Sequence, residues 1–137
     1  MTSTPSTTRP AAGLTALGLL LLFVTALVHY LAIPAKLGET RVLGWGYVLL
    51  VAGCSAAAAW LLSDAWRTGY LLGLLVCGGA LVAYLLTRTV GLLGSAKDDI
   101  GNWSEPAGIV ALVAEAAFVL LALSQLLPRR GTNRLGR

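Results

Sequence analysis

Four nearly charge-free stretches, 11–33, 43–63, 69–90 and 106–127, constrain this chain more than any other feature. A helix rises 1.5 Å per residue, so about 20 residues cross a hydrocarbon core of about 30 Å. Lipid offers no hydrogen bonds to a bare backbone, so such a stretch folds as a helix that satisfies its own amides. Composition agrees: of 137 residues 57% are hydrophobic and 12% charged, with a mean hydropathy of +0.80. Soluble domains carry about 25% charged residues. The expected fold is therefore all-α, an integral membrane four-helix bundle running up-down-up-down.

Outside the spans, residues 1–10 are rich in Ser, Thr and Pro and read as a flexible tail, and 128–137 form a basic tail. Cleavage of the first span as a signal peptide is disfavoured, because its apolar run exceeds the usual ~7–15 residues. Pro34 is expected to close the first helix, leaving a connector with Lys36, Glu39 and Arg41. Asp64 to Thr68 reads as a polar turn and Pro128 as the stop of the fourth helix.

The net charge of +4 does not point to nucleic acid, since the cations gather at span ends and in the C-terminal tail. The tails and the middle connector hold Arg9, Arg67, Arg129, Arg130, Arg134 and Arg137, against Lys36, Arg41 and Lys97 in the other two connectors. The positive-inside rule then predicts a cell (inner) membrane protein with both termini cytoplasmic. Ala26–Leu31 and Ala80–Leu85 are similar in sequence, which suggests two helical hairpins related by a parallel repeat.

Helices in lipid meet through small and polar faces. Such faces are Gly18, Thr25 and His29; Gly46, Gly53, Ala57 and Trp60; Gly73, Cys77, Ala80, Tyr84 and Arg88; and Gly108, Ala111, Glu115, Ala122 and Gln125. Cys54 and Cys77 read as small buried fillers. Glycines 69, 73, 78 and 79 suit close helix contact, and with it a homo-oligomer or another membrane protein as partner besides the lipid bilayer.

Ionisable groups at membrane depth are costly, which singles out His29, Arg88 and Glu115. Helical side chains lean toward their own N-terminus, so on this topology the three converge, with Tyr84 beside them, as a buried polar cluster toward the outer face. An Arg88–Glu115 ion pair is the structural expectation; the alternatives are a Glu115 that titrates or binds a cation, and an Arg88 that reaches out to the interface. His29, the single histidine, is expected to bond Tyr84 or Glu115, or to relay a proton. No cofactor is favoured: a closed zinc site needs about four ligands, and bis-histidine haem would need a dimer.

The third connector offers Asp98, Asp99, Asn102 and Glu105 as an outer-loop cation site. The competing account is an interface turn, broken at Gly101-Asn102, anchored by Trp103, with Ser104 capping the fourth helix. Asn102-Trp103-Ser104 also fits the glycosylation sequon. No phosphate loop, HExxH, nucleophile elbow or paired catalytic carboxylates occur, so the expectation is a non-enzyme.

His29 with Pro34, Thr87-Arg88-Thr89-Val90-Gly91-Leu92, Asp99-Ile100-Gly101-Asn102-Trp103-Ser104-Glu105-Pro106 and Glu115 together resemble a pattern of uncharacterised small four-span membrane proteins of actinobacteria. This chain has Leu93 where that pattern commonly has a proline. The resemblance implies a topology and draws attention to these residues, and it implies no reaction. The functional expectation is an accessory or partner-binding subunit; the alternative is a small proton or metal-cation carrier or sensor using Glu115 and His29.

Overall fold

The computed structural model describes residues 9–91 and 99–127. Four helices make up the fold: α1 (Ala12–Glu39), α2 (Arg41–Leu62), α3 (Trp66–Thr89) and α4 (Pro106–Leu126). Each is long and apolar enough to cross a membrane. Each also packs on the helices before and after it, and α1 packs on α4, so the four close into a ring.

Two boundaries differ from the sequence reading. Pro34 lies inside α1, which runs on to Glu39. Proline removes one amide and crowds the preceding turn without forbidding continuation, and the extra turn is held by a Lys36–Glu39 ion pair at 2.7 Å. A single residue, Thr40, then joins α1 to α2: extended in backbone, it accepts from the Leu43 amide and caps α2. Trp66 likewise belongs to α3 instead of the preceding turn, which shrinks to Ser63–Ala65, where the Ser63 hydroxyl takes the Ala65 amide.

The N-cap of α4 is Glu105, followed by Pro106 at the first helical position, where a missing amide costs nothing. Ser104 does not cap the helix; its hydroxyl lies 3.5 Å from the Asn102 side chain. Gly91 and Gly101 have φ of 76° and 79°, a region open to glycine at little cost, and they turn the chain at the two ends of the described connector. The Gly101 amide bonds back to the Arg88 carbonyl at 2.8 Å.

One half of the bundle is tightly packed. Leu22, Ala57, Leu61, Tyr70, Cys77 and Phe118 are at most 1% exposed. Tyr70 stacks on Phe118 with ring centroids 6.1 Å apart, and its hydroxyl donates to the Leu14 carbonyl. A Cβ on Gly69 would lie 2.6 Å from the Leu61 backbone nitrogen, so α2 and α3 touch backbone to backbone there. Arg9 donates to the carbonyls of Leu61 and Leu62, and Arg67 to that of Leu126, placing cations on the negative ends of α2 and α4.

Large apolar side chains cover the outside, among them Phe23, Leu31, Leu49, Leu75, Val113 and Leu120, each more than 60% exposed. That is the reverse of a water-soluble surface and suits a lipid one. The expected interior faces of α1, α3 and α4 contain most of the buried residues. On α2 the expected face holds in part: Ala57 is buried and Gly53 meets Val76, whereas Gly46 and Trp60 are exposed and Gly44, Cys54 and Leu61 point inward.

Candidate functional site

The other half of the bundle is open. Late α1, early α2, late α3, the end of the third connector and early α4 surround a cavity of about 450 Å³. Its wall is mostly apolar, and its polar groups form two tiers.

The inner tier is His29 with Glu115. His29 sits on α1 one turn after Thr25, and its Nδ1 lies 2.9 Å from the Thr25 carbonyl. A carbonyl only accepts, so Nδ1 carries a hydrogen, and Nε2, turned inward, accepts in the neutral ring and donates in the imidazolium. That Nε2 faces Glu115 Oε1 at 3.6 Å. The Glu115 residue is 2% exposed and His29 9%, and among the described residues Oε1 has no hydrogen-bond donor. Tyr47 of α2 closes on the imidazole edge-on, at 4.8 Å between centroids. With the ring neutral and the carboxyl ionised, the two facing atoms would both be acceptors inside an apolar enclosure; one proton, on the carboxyl or on the ring, makes them donor and acceptor.

The outer tier is an ionic strap. Arg88 Nη1 donates to Asp99 Oδ1 at 2.9 Å, and Arg88 Nη2 pairs with Glu105. Lys36 reaches the same Asp99 at 3.8 Å while holding Glu39. The guanidinium lies over the Tyr84 ring, 5.1 Å from its centroid, and Tyr84 meets Trp103 edge-on. These charges also suit their helix ends: Lys36 and Arg88 stand in the last turns of α1 and α3, and Glu105 at the start of α4.

His29, Tyr84, Arg88 and Glu115 all line the cavity, but their pairing differs from expectation. Arg88 does not pair with Glu115. Its long side chain reaches outward to two carboxylates near the interface, where desolvation costs less than deep in the bundle, and Glu115 is left to His29. His29 bonds neither Tyr84 nor Glu115 directly; its one hydrogen bond goes to Thr25. Of the outer-loop set, Asp98 lies outside the described residues, Asp99 and Glu105 are taken by Arg88 and Lys36, and Asn102 is exposed beside Ser104. Among the described residues no group of three His, Cys, Asp or Glu side chains is placed to hold a metal ion.

Two residues of the site were missed in the sequence. Lys36 reads as a loop residue in the sequence because Pro34 reads as a helix end. Tyr47 carries a usable signal, a phenol about one turn into the second span and next to Gly46, which lines the same cavity. No protein-family model, curated protein or solved structure matches this chain. The likeness to actinobacterial four-span proteins draws no support from these comparisons.

Proposed function

We propose that the chain is a multi-pass protein of the cell membrane that works as a small proton-handling carrier or sensor, with the His29–Glu115 pair as its proton site. The four helices alternate in direction, both termini lie in the cytoplasm, and the cavity faces outward. Alternation is supported by the lining of one cavity by late α1, early α2, late α3 and early α4. The orientation is supported by Arg9 and Arg67 at the packed end.

The observation that carries the reading is the approach of Glu115 Oε1 to His29 Nε2 at 3.6 Å, both residues buried, with Nδ1 committed to a carbonyl. The empty pair holds one proton, as carboxylic acid with imidazole or as carboxylate with imidazolium. Either form is neutral overall, which is what an apolar enclosure favours. Loss of that proton leaves a buried anion facing a lone pair, so the pair couples proton exchange to the arrival of any other cation. No catalytic step is assigned.

The accessory-subunit reading draws on a different observation, the Arg88–Asp99–Glu105 strap, which ties α3 to the start of α4 and serves the fold whatever the cavity holds. Infrared difference spectra of the purified protein separate the two. A protonated-carboxyl band that changes with pH, is absent from Glu115→Gln and is displaced in His29→Gln is expected. A wild-type spectrum identical to that of Glu115→Gln at every pH removes the proton-handling reading and leaves the accessory one.

A further inference from the structure

We infer that the occupant of this cavity is a lipophilic organic cation, a protonated amine with an apolar body, which enters from the bilayer between α2 and α3 and displaces the proton held by His29 and Glu115. The inference rests on the proton-handling reading of that pair and adds the class of ligand and its route.

The polar floor selects the head group. Once the pair has given up its proton, Glu115 Oε1 and His29 Nε2, 3.6 Å apart, are both acceptors, and among the described residues no donor reaches Oε1. An ammonium group supplies two N–H donors and a positive charge at that one place, whereas a carboxylate, a phosphate or an ether oxygen supplies none. Charge at this end points the same way: among the described residues Lys36, Arg41 and Arg88 are outnumbered by Glu39, Asp99, Glu105 and Glu115. Arg88 and Lys36, the cavity-lining cations, are already neutralised by their strap partners.

The wall selects the body. Beyond its polar tiers the cavity is lined by aliphatic side chains and glycines, among them Leu49, Leu50, Val76 and Ala80. About 450 Å³ is room for an amine with a substantial hydrocarbon part, far more than a bare proton or ammonium ion uses.

A lateral portal supplies the route. Gly53 of α2 and Val76 of α3 are in contact, since a Cβ on Gly53 would lie 2.7 Å from a Val76 methyl. Two turns earlier on α2, and one turn later on α3, Gly46 and Gly79 both line the cavity, both are exposed, and a Cβ on either would meet nothing within 4 Å. The gap between α2 and α3 thus opens where the two glycines stand, on a face otherwise dressed for lipid. A lipophilic amine dissolved in the outer leaflet reaches Glu115 through it without crossing the ionic strap.

Binding balances as an exchange. The site in its protonated form takes up one alkylammonium ion and releases one proton to the aqueous side, with net charge unchanged. The test is calorimetric titration of the full chain in nanodiscs with phenylbutylamine, using phenylbutanol as the isosteric neutral control and buffers of different ionisation enthalpy to count protons. The expected result is saturable amine binding with release of one proton, no binding of the alcohol, and an affinity loss of about tenfold or more in Glu115→Gln. Gly79→Leu fills open space, so it is expected to fold normally, keep the wild-type infrared titration of Glu115 and slow amine association, followed by stopped-flow tryptophan fluorescence. Equal binding of amine and alcohol, or unaltered amine affinity in Glu115→Gln, overturns cation recognition. An unaltered association rate in Gly79→Leu overturns the portal. Absence of amine binding together with a normal Glu115 titration overturns the ligand class and leaves the proton site standing; absence of that titration removes both.

Discussion

Helix lean alone would join Arg88 to Glu115, whereas the structure joins Arg88 to Asp99 and Glu105, and a double-mutant cycle decides between them. The guanidinium and Asp99 form a charge-assisted bond at 2.9 Å with side chains 5% and 18% exposed. Such bonds contribute about 1.5–3 kcal/mol net. Glu105 is 47% exposed, so solvent screening holds its share to about 1 kcal/mol or less. Arg88→Met is therefore expected to cost about 3 kcal/mol, and its coupling to Asp99→Asn to be about 2 kcal/mol. Its coupling to Glu115→Gln should stay below about 0.5 kcal/mol, the range of sites sharing no partner. Reversible unfolding in mixed micelles, followed by tryptophan fluorescence, reads all of these variants. An Arg88–Glu115 coupling as large as the Arg88–Asp99 one would refute the two-tier arrangement, and with it the assignment of Glu115 to His29.

Two further outcomes test the packing and the orientation. Gly69→Ala forces a Cβ to 2.6 Å from the Leu61 nitrogen and 2.9 Å from the Ala57 carbonyl oxygen, both backbone atoms that cannot rotate away. It should lower stability by about 1–3 kcal/mol, while Gly78→Ala, which meets nothing within 4 Å, should be neutral or stabilising by up to about 1 kcal/mol in the same unfolding assay. In a Cys54→Ala, Cys77→Ala background, Asn102→Cys should react with an impermeant maleimide added to intact cells. Protection there, with labelling only after lysis, would reverse the proposed orientation.

The four spans and their approximate ends were legible because apolar length and charge at the ends are properties of the sequence itself. The ring of helices was foreshadowed by the small faces of α1, α3 and α4. On α2 the reading holds at Gly53 and Ala57 and fails at Gly46 for a physical reason: Gly46 looks like a packing residue, yet it borders a gap, and a glycine at a contact and a glycine at an opening are the same letter. Pro34 misled in a similar way, since proline inside a helix is tolerated when the turn beyond it has its own ion pair. The members of the site were legible, because buried ionisable groups stand out in an apolar sequence. Their pairing was not, because an arginine side chain is long enough to choose between partners on either side of it, and the choice turns on where the desolvation cost is lower.

The division of the bundle into a packed half and an open half bears on why the polar groups are there at all. Leu22, Leu61, Tyr70 and Phe118 already bind all four helices through apolar contact, with close approaches at Gly69 and Gly73. Buried ion pairs can often be replaced by well-packed apolar residues without loss of stability, and a buried carboxylate oxygen with no donor costs free energy outright. Glu115 is such a group, 2% exposed on a largely apolar helix. The strap can be accounted for by the fold, since every one of its carboxylates has a cation. The inner pair has no such cation, and the proposed proton exchange gives a buried carboxyl and an imidazole 3.6 Å apart a role that the packing does not need.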